Sequence, residues 1–142
     1  MSHARARQAI EIKLAAWAAA RPIRVAHMEE DFEAAPGETY LRAFLLPAST
    51  TTRYLAAEAY EYRGIYQISI ICPAGQALAT AEALVDELST LFRVDTELSR
   101  NGFEGLIVEP LEQGPTITEP ATYTVPTSFT YQGVADQPPA GA

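Results

Sequence analysis

Residues 60–72, Tyr-Glu-Tyr-Arg-Gly-Ile-Tyr-Gln-Ile-Ser-Ile-Ile-Cys, repeat with a period of two. Tyr60, Tyr62, Tyr66, Ile68 and Ile70 share one side, and Glu61, Arg63, Ile65, Gln67, Ser69 and Ile71 share the other. Side chains alternate in this way along a β-strand. The run therefore predicts a long strand with a core-facing side and a mixed side, either solvated or used as an interface. Gly64 interrupts the aromatic row, which predicts a bulge or a close backbone approach.

Other segments take their meaning from this strand. Residues 39–46 read as a second strand, with Tyr40, Phe44 and Leu46 against Leu41, Ala43 and Leu45. Apolar residues on both sides suit an interior position. Pro47 is expected to stop it, with a polar loop over 47–58. Residues 123–131 alternate cleanly, Tyr123, Val125, Phe129 and Tyr131 against Thr124, Ser128 and Thr130. Pro126 removes a ladder donor there, which predicts an edge strand or a bulge. A strand is expected over 103–109, after the turn signal Asn101-Gly102, and a short one over 23–28. Pro36-Gly37 and Gly114-Pro115 are breaks.

Two helices complete the pattern. Ile10, Leu14 and Trp17 are spaced for one helical face, amid alanines, with Ser2 as N-cap and Pro22 marking the end. After the turn Pro73-Ala74-Gly75, residues 76–92 carry a broad stripe of Leu78, Ala81, Leu84, Val85, Leu88, Leu91 and Phe92, with Glu82, Asp86 and Glu87 opposite. The order α-β-β-β-α-β-β predicts a single α+β domain, helices packed on a mostly antiparallel sheet. The domain is expected over 1–133, with 134–142 as a flexible C-terminal tail.

Composition removes several functional classes. The formal net charge is −8 and Lys13 is the only lysine. Stable nucleic-acid binding by the monomer needs a basic stripe, and an anionic membrane surface would repel such a chain. A lone cysteine, Cys72, cannot form an intramolecular disulfide or a cysteine-rich zinc site. No apolar run is long enough to span a bilayer. These features point to synthesis in a reducing cytoplasm.

Catalytic motifs are missing. His27 precedes Met28-Glu29-Glu30-Asp31, but the second histidine of a His-Glu-x-x-His metal site is not there. Glu29, Glu30, Asp31 and Glu33 offer oxygens to a hard cation, in a spacing that matches no calcium loop. A small carboxylate-dependent hydrolase using His27, Glu29 and Glu30 is the enzymatic alternative. There is no Gly-x-Ser-x-Gly elbow, P-loop or Gly-x-Gly-x-x-Gly motif. The expectation is a non-enzyme without cofactor or metal. Tyrosines and arginines are enriched in protein interfaces, which makes Arg42, Arg53, Tyr54 and Arg63 interface candidates; Arg63 could also pair with Glu61 on its own strand face. With Ile65 and Gln67 they nominate the 47–58 loop and the mixed side of the 60–72 strand as a contact surface.

Several strings carry a family resemblance: Thr39-Tyr40-Leu41-Arg42-Ala43-Phe44-Leu45-Leu46-Pro47, then Tyr62-Arg63-Gly64-Ile65-Tyr66-Gln67-Ile68-Ser69-Ile70, then Pro73-Ala74-Gly75-Gln76 and a helix closing on Leu91-Phe92, then Gly114-Pro115 and Tyr123-Thr124-Val125-Pro126. In order and spacing, from the first helix to Tyr131, the chain resembles the bacteriophage tail-terminator-like family, related to the terminator of lambda-type tails. The resemblance implies an α+β subunit that forms a ring, typically a hexamer. Such a ring caps the tail tube, stops its polymerisation and offers a surface to the head. Its implied partners are copies of itself, the tail tube protein and a head-completion or connector protein. Its implied place is the head-proximal end of the virion tail, and it implies no catalytic residues. A different neck ring, such as a head–tail connector, is the nearest alternative.

Overall fold

The computed structural model describes residues 2–27, 30–52 and 59–136, with the side chain of Ser2 excluded. The elements are α1 (Ser2–Ala20), β1 (Val25–His27), β2 (Tyr40–Thr52), β3 (Ala59–Pro73), α2 (Leu78–Leu91), β4 (Glu97–Arg100), β5 (Phe103–Gln113), β6 (Ile117–Thr118) and β7 (Thr122–Asp136). The expected α+β order holds, with two short strands, β4 and β6, added. They form one seven-stranded sheet in the order β1-β2-β3-β7-β5-β4, with β6 also on β7. Among the described residues only the β1–β2 pair is parallel.

Both helices supply one hydrophobic core on one side of the sheet. Ile10, Leu14 and Trp17 of α1 and Ala81, Leu84 and Leu88 of α2 share it with Leu41, Tyr66, Ile68, Ile70, Val125, Phe129 and Tyr131. Phe92 stacks on Phe129 with ring centroids 4.8 Å apart, within the range of favourable aromatic pairs. Arg21, just past the end of α1, forms an ion pair with Glu87 and ties the two helices together. The stripe of α2 is narrower than its sequence suggests: Leu78 is exposed, because it lies in the first turn, before the helix reaches the core. Asn101 and Gly102 both adopt positive φ, 46° and 91°. Those angles suit the tight β4–β5 hairpin that they close.

Three prolines show how backbone donors are managed. β2 does not stop at Pro47 but continues to Thr52, so residues 49–52, read as loop, are strand. The amide of Leu41 donates to Arg24 O at 3.0 Å. Odd-numbered residues up to 47 therefore point their amides toward β1. Beyond Ala43 no described strand pairs with that side, so Pro47 lacks a donor only where none is used. Pairing with β3 then shifts between Pro47 and Ser49, leaving Ala48 as a bulge.

Pro126 is neither on an edge nor in a bulge of its own strand. β7 is the central strand, with β3 on one side and β5 and β6 on the other. Its ladder with β5 ends at Thr127 and that with β6 begins at Thr124. Pro126 O accepts from Gly114 N at 2.8 Å, and a residue's N–H and C=O point the same way across a strand. The missing donor thus falls at the handover between two neighbours. Pro110 lies within the irregular stretch of β5 between Glu109 and Glu112. β7 continues through Asp136, past the expected boundary at 133, and Ala135 is buried; residues 137–142 lie outside the described residues.

Close approach explains the glycine in the aromatic row. A Cβ on Gly64 would lie 2.7 Å from the Tyr131 ring, so Gly64 makes room for a buried tyrosine one strand away. The Tyr131 hydroxyl is hydrogen-bonded to His3 Nδ1 at 2.5 Å, and His3 Nε2 lies 3.1 Å from Thr50 Oγ1. Burial lowers the pKa of His3, partly opposed by a bond that the ring donates to the Ser49 backbone. A neutral ring can satisfy both hydroxyls, accepting at one nitrogen and donating from the other. The start of α1 is thereby fastened to β2 and β7. A second pair, Gly105 and Gly133, faces across β5 and β7. Phe103 packs over both, and a Cβ on Gly133 would meet backbone atoms at 2.7 Å.

Candidate functional site

The sheet side away from the helices is the candidate surface. Alternation places Arg63, Ile65, Gln67, Ser69 and Ile71 of β3 there, and pairing adds their neighbours. Arg42 sits opposite Ser69, Phe44 opposite Gln67, and Leu46 opposite Ile65. On the other flank, Gln132 faces Arg63, Thr130 faces Ile65 and Ser128 faces Gln67. β5 then contributes Leu106, Glu109 and Glu112 beside Gln132, Thr130 and Ser128.

Four of the six nominated residues are thus brought to one face: Arg42, Arg63, Ile65 and Gln67. Arg53 and Tyr54 lie outside the described residues. Arg63 reaches across the sheet, donating to Gln132 Oε1 at 2.7 Å and to Glu109 Oε1 at 3.2 Å. Gln67 donates to Ser69 Oγ at 3.3 Å. Arg42 is exposed, its guanidinium 5.6 Å from the centroid of the Tyr40 ring.

This face is covered at one end and open elsewhere. Phe32 packs on Tyr40, centroids 4.9 Å apart, and Arg24 lies over Phe32 at 4.5 Å. Arg24 in turn holds Glu38 at 2.6 Å, and with the Ala35 amide it draws the Glu38 carboxyl down to about 2. The segment carrying Phe32 thus roofs Tyr40, which is buried beside Ile71. In the open part, Leu46 is 42% exposed and its cross-strand neighbour Ile65 is 38% exposed, as is Leu106. Glu104, Glu109 and Glu112, all exposed on β5, border these apolar groups. Leu46, Leu106 and the β5 carboxylates were not singled out in the sequence. The strand period could assign each to a side, but not to neighbouring positions.

Of the residues named for the enzymatic alternative, His27 and Glu30 line one cavity. His27 Nδ1 lies 3.5 Å from Glu11 Oε2, and Glu11 is also held by Arg7 at 2.9 Å. Arg7, Glu11, His27 and Glu30 share a cavity with Ala43, Phe44 and Leu45, a set with no Ser, Thr, Cys or Lys nucleophile. Glu29 lies outside the described residues. Among the described residues no group of three or more His, Cys, Asp or Glu side chains is placed to hold a metal ion. Cys72 is buried, and burial pushes its thiol pKa up, away from nucleophilic thiolate character. No described helix is long and apolar enough to cross a membrane.

Known proteins place this architecture. A solved structure superposes with a TM-score of 0.79 at 33% identity, covering 98% of this chain and 99% of that one. No curated protein matches the chain. Residues 5–131 match the family described as phage tail terminator protein, a span that takes in both helices, the core and the open sheet face. The chain therefore belongs to the phage tail terminator family and is a structural component of the phage tail, hence of the virion.

Proposed function

We propose that the protein acts by assembling into a ring, a hexamer by family resemblance, that caps the tail tube, ends its polymerisation and presents a surface for head joining. The observation that carries this reading is the open sheet face. Exposed Leu46 and Ile65 form an apolar cross-strand pair, Leu106 stands beyond β7, and Glu104, Glu109, Glu112 and the braced Arg63 lie on the same face. Exposed large apolar side chains set among polar and charged ones mark protein contact sites. Its partners are copies of itself, the tail tube protein and a head-completion or connector protein, met in the host cytoplasm during assembly. The protein works without catalysis, cofactor or metal, since binding geometry alone can stop a polymer. Two surfaces that differ close a ring by rotation.

Electron microscopy and solution mass, with and without purified tail tubes, test this directly. Rings, or density capping one end of tubes of fixed length, are expected. Binding to proheads with no binding to tubes would move the protein to the connector position. A monomer that binds neither would remove the assembly role.

A further inference from the structure

The two sides of the molecule that look away from each other are complementary. α1 lies against the inner side of the sheet. The strip it turns away from the core is Arg5, Gln8, Ile12, Ala15, Ala16 and Ala19, which the helical period places together. Ile12 is 54% exposed, against complete burial for Ile10 and Leu14. Arg100 of β4 joins the strip by donating to Gln8 Oε1 at 3.4 Å, and Arg5 lies close to Gly102 in the adjoining turn. The first turn of α1 holds no acidic residue, so its positive dipole end adds to these two guanidinium groups. Among the described residues neither Arg5 nor Arg100 has a carboxylate partner.

The outer sheet face has the opposite character. Its exposed apolar groups are the cross-strand pair Leu46 and Ile65 and, beyond β7, Leu106, and the β5 carboxylates lie on the same face. Glu104 and Glu112 have no cationic partner among the described residues. Each side thus holds an exposed apolar group and unpaired charge, of opposite sign.

We infer that the α1 strip of one copy docks on the outer sheet face of a second copy, with Ile12 against the Leu46–Ile65 pair and Arg5 and Arg100 against the carboxylates of β5. This rests on the ring reading above and names the contact that builds the ring. The occupant is a second copy because both halves of the match are on this chain. The two surfaces lie on opposite sides of the subunit, so the contact is head-to-tail. Every copy added leaves one surface of each kind free until the ring closes.

Paired charge reversal tests it. One variant carries Arg5→Glu and Arg100→Glu, the other Glu104→Arg and Glu112→Arg. Neither changes a buried side chain, and a carboxylate at position 5 suits a helix N-terminus. Circular dichroism on heating checks that both fold, and sedimentation follows association of wild type, each variant and an equimolar mixture. Each variant alone should associate at least about ten-fold more weakly than wild type. The mixture should recover, since each reversed surface then meets a reversed partner. Folded variants that associate like wild type, or a mixture that does not recover, would overturn the contact while leaving ring formation intact. Variants that form rings but lose only tube binding would overturn it too, giving the charged patches to the tube. A wild type that never self-associates, alone or on tubes, would remove both the ring and this contact.

Discussion

The same strands build two unlike surfaces. On the inner side of β7, every second residue from Tyr123 to Ala135 is buried, among them Val125, Phe129 and Tyr131. On its outer side Thr124, Ser128, Thr130 and Gln132 are half-buried and polar. The inner side is fitted closely enough that three glycine positions are fixed by aromatic rings. The outer side is held by a few cross-strand bonds from long polar side chains. A period of two lets one chain carry both, because a substitution at an odd position leaves the even ones untouched. Inner residues should therefore control whether the protein folds, and outer ones what it meets.

Substitutions can break that division. Phe129→Ala removes the ring that stacks on Phe92 and should lower unfolding free energy by about 3–5 kcal/mol. A loss under about 1 kcal/mol in a denaturant titration would show that the inner side is not tightly packed. Gly133→Ala comes next, at about 1–3 kcal/mol, because its new methyl meets the backbone of Glu104 and Gly105. Thr127 is buried and donates to Ile68 O at 2.6 Å. Thr127→Val should cost about 1 kcal/mol, visible as a modest fall in melting temperature. Ile65→Arg, at an exposed position of the outer side, should stay within about 0.5 kcal/mol of wild type and yet block ring closure in electron micrographs, because it sets a cation against the arginines of the inferred contact. A folded Ile65→Arg protein that still terminates tails would separate Ile65 from the contact.

The smallest effect concerns pH. Glu38 is held at about 2 against an ordinary 4.5. A depressed carboxyl contributes stability above its unfolded pKa and loses it as pH falls through the folded value. Wild type should therefore weaken slightly between about pH 4.5 and 2 relative to Glu38→Gln, whose stability profile should be flatter there. Identical profiles would mean that the roof over Tyr40 does not depend on this pair.

Alternation made the two longest strands readable from the sequence, and helical spacing did the same for α1 and α2. What stayed hidden depended on neighbours. A proline shows that a donor is missing but not on which side, so Pro47 read as a stop and Pro126 as an edge or a bulge. β4 was invisible because of its four residues only Leu98 is buried. The aromatic row of β3 pointed to Gly64, but only the fold reveals that Tyr131 fills its space. The candidate face was half legible: Arg63, Ile65 and Gln67 follow from one strand's period. Leu46, Leu106 and the β5 carboxylates join them only through register, and the register carries a bulge at Ala48.

Pro47 and that bulge also govern how the protein should age when concentrated. Fibril growth recruits strand after strand along an unbroken row of backbone donors. The open side of β2 breaks that row at Pro47, and Ala48 then shifts its alignment. Concentrated stocks should not seed thioflavin-positive fibres.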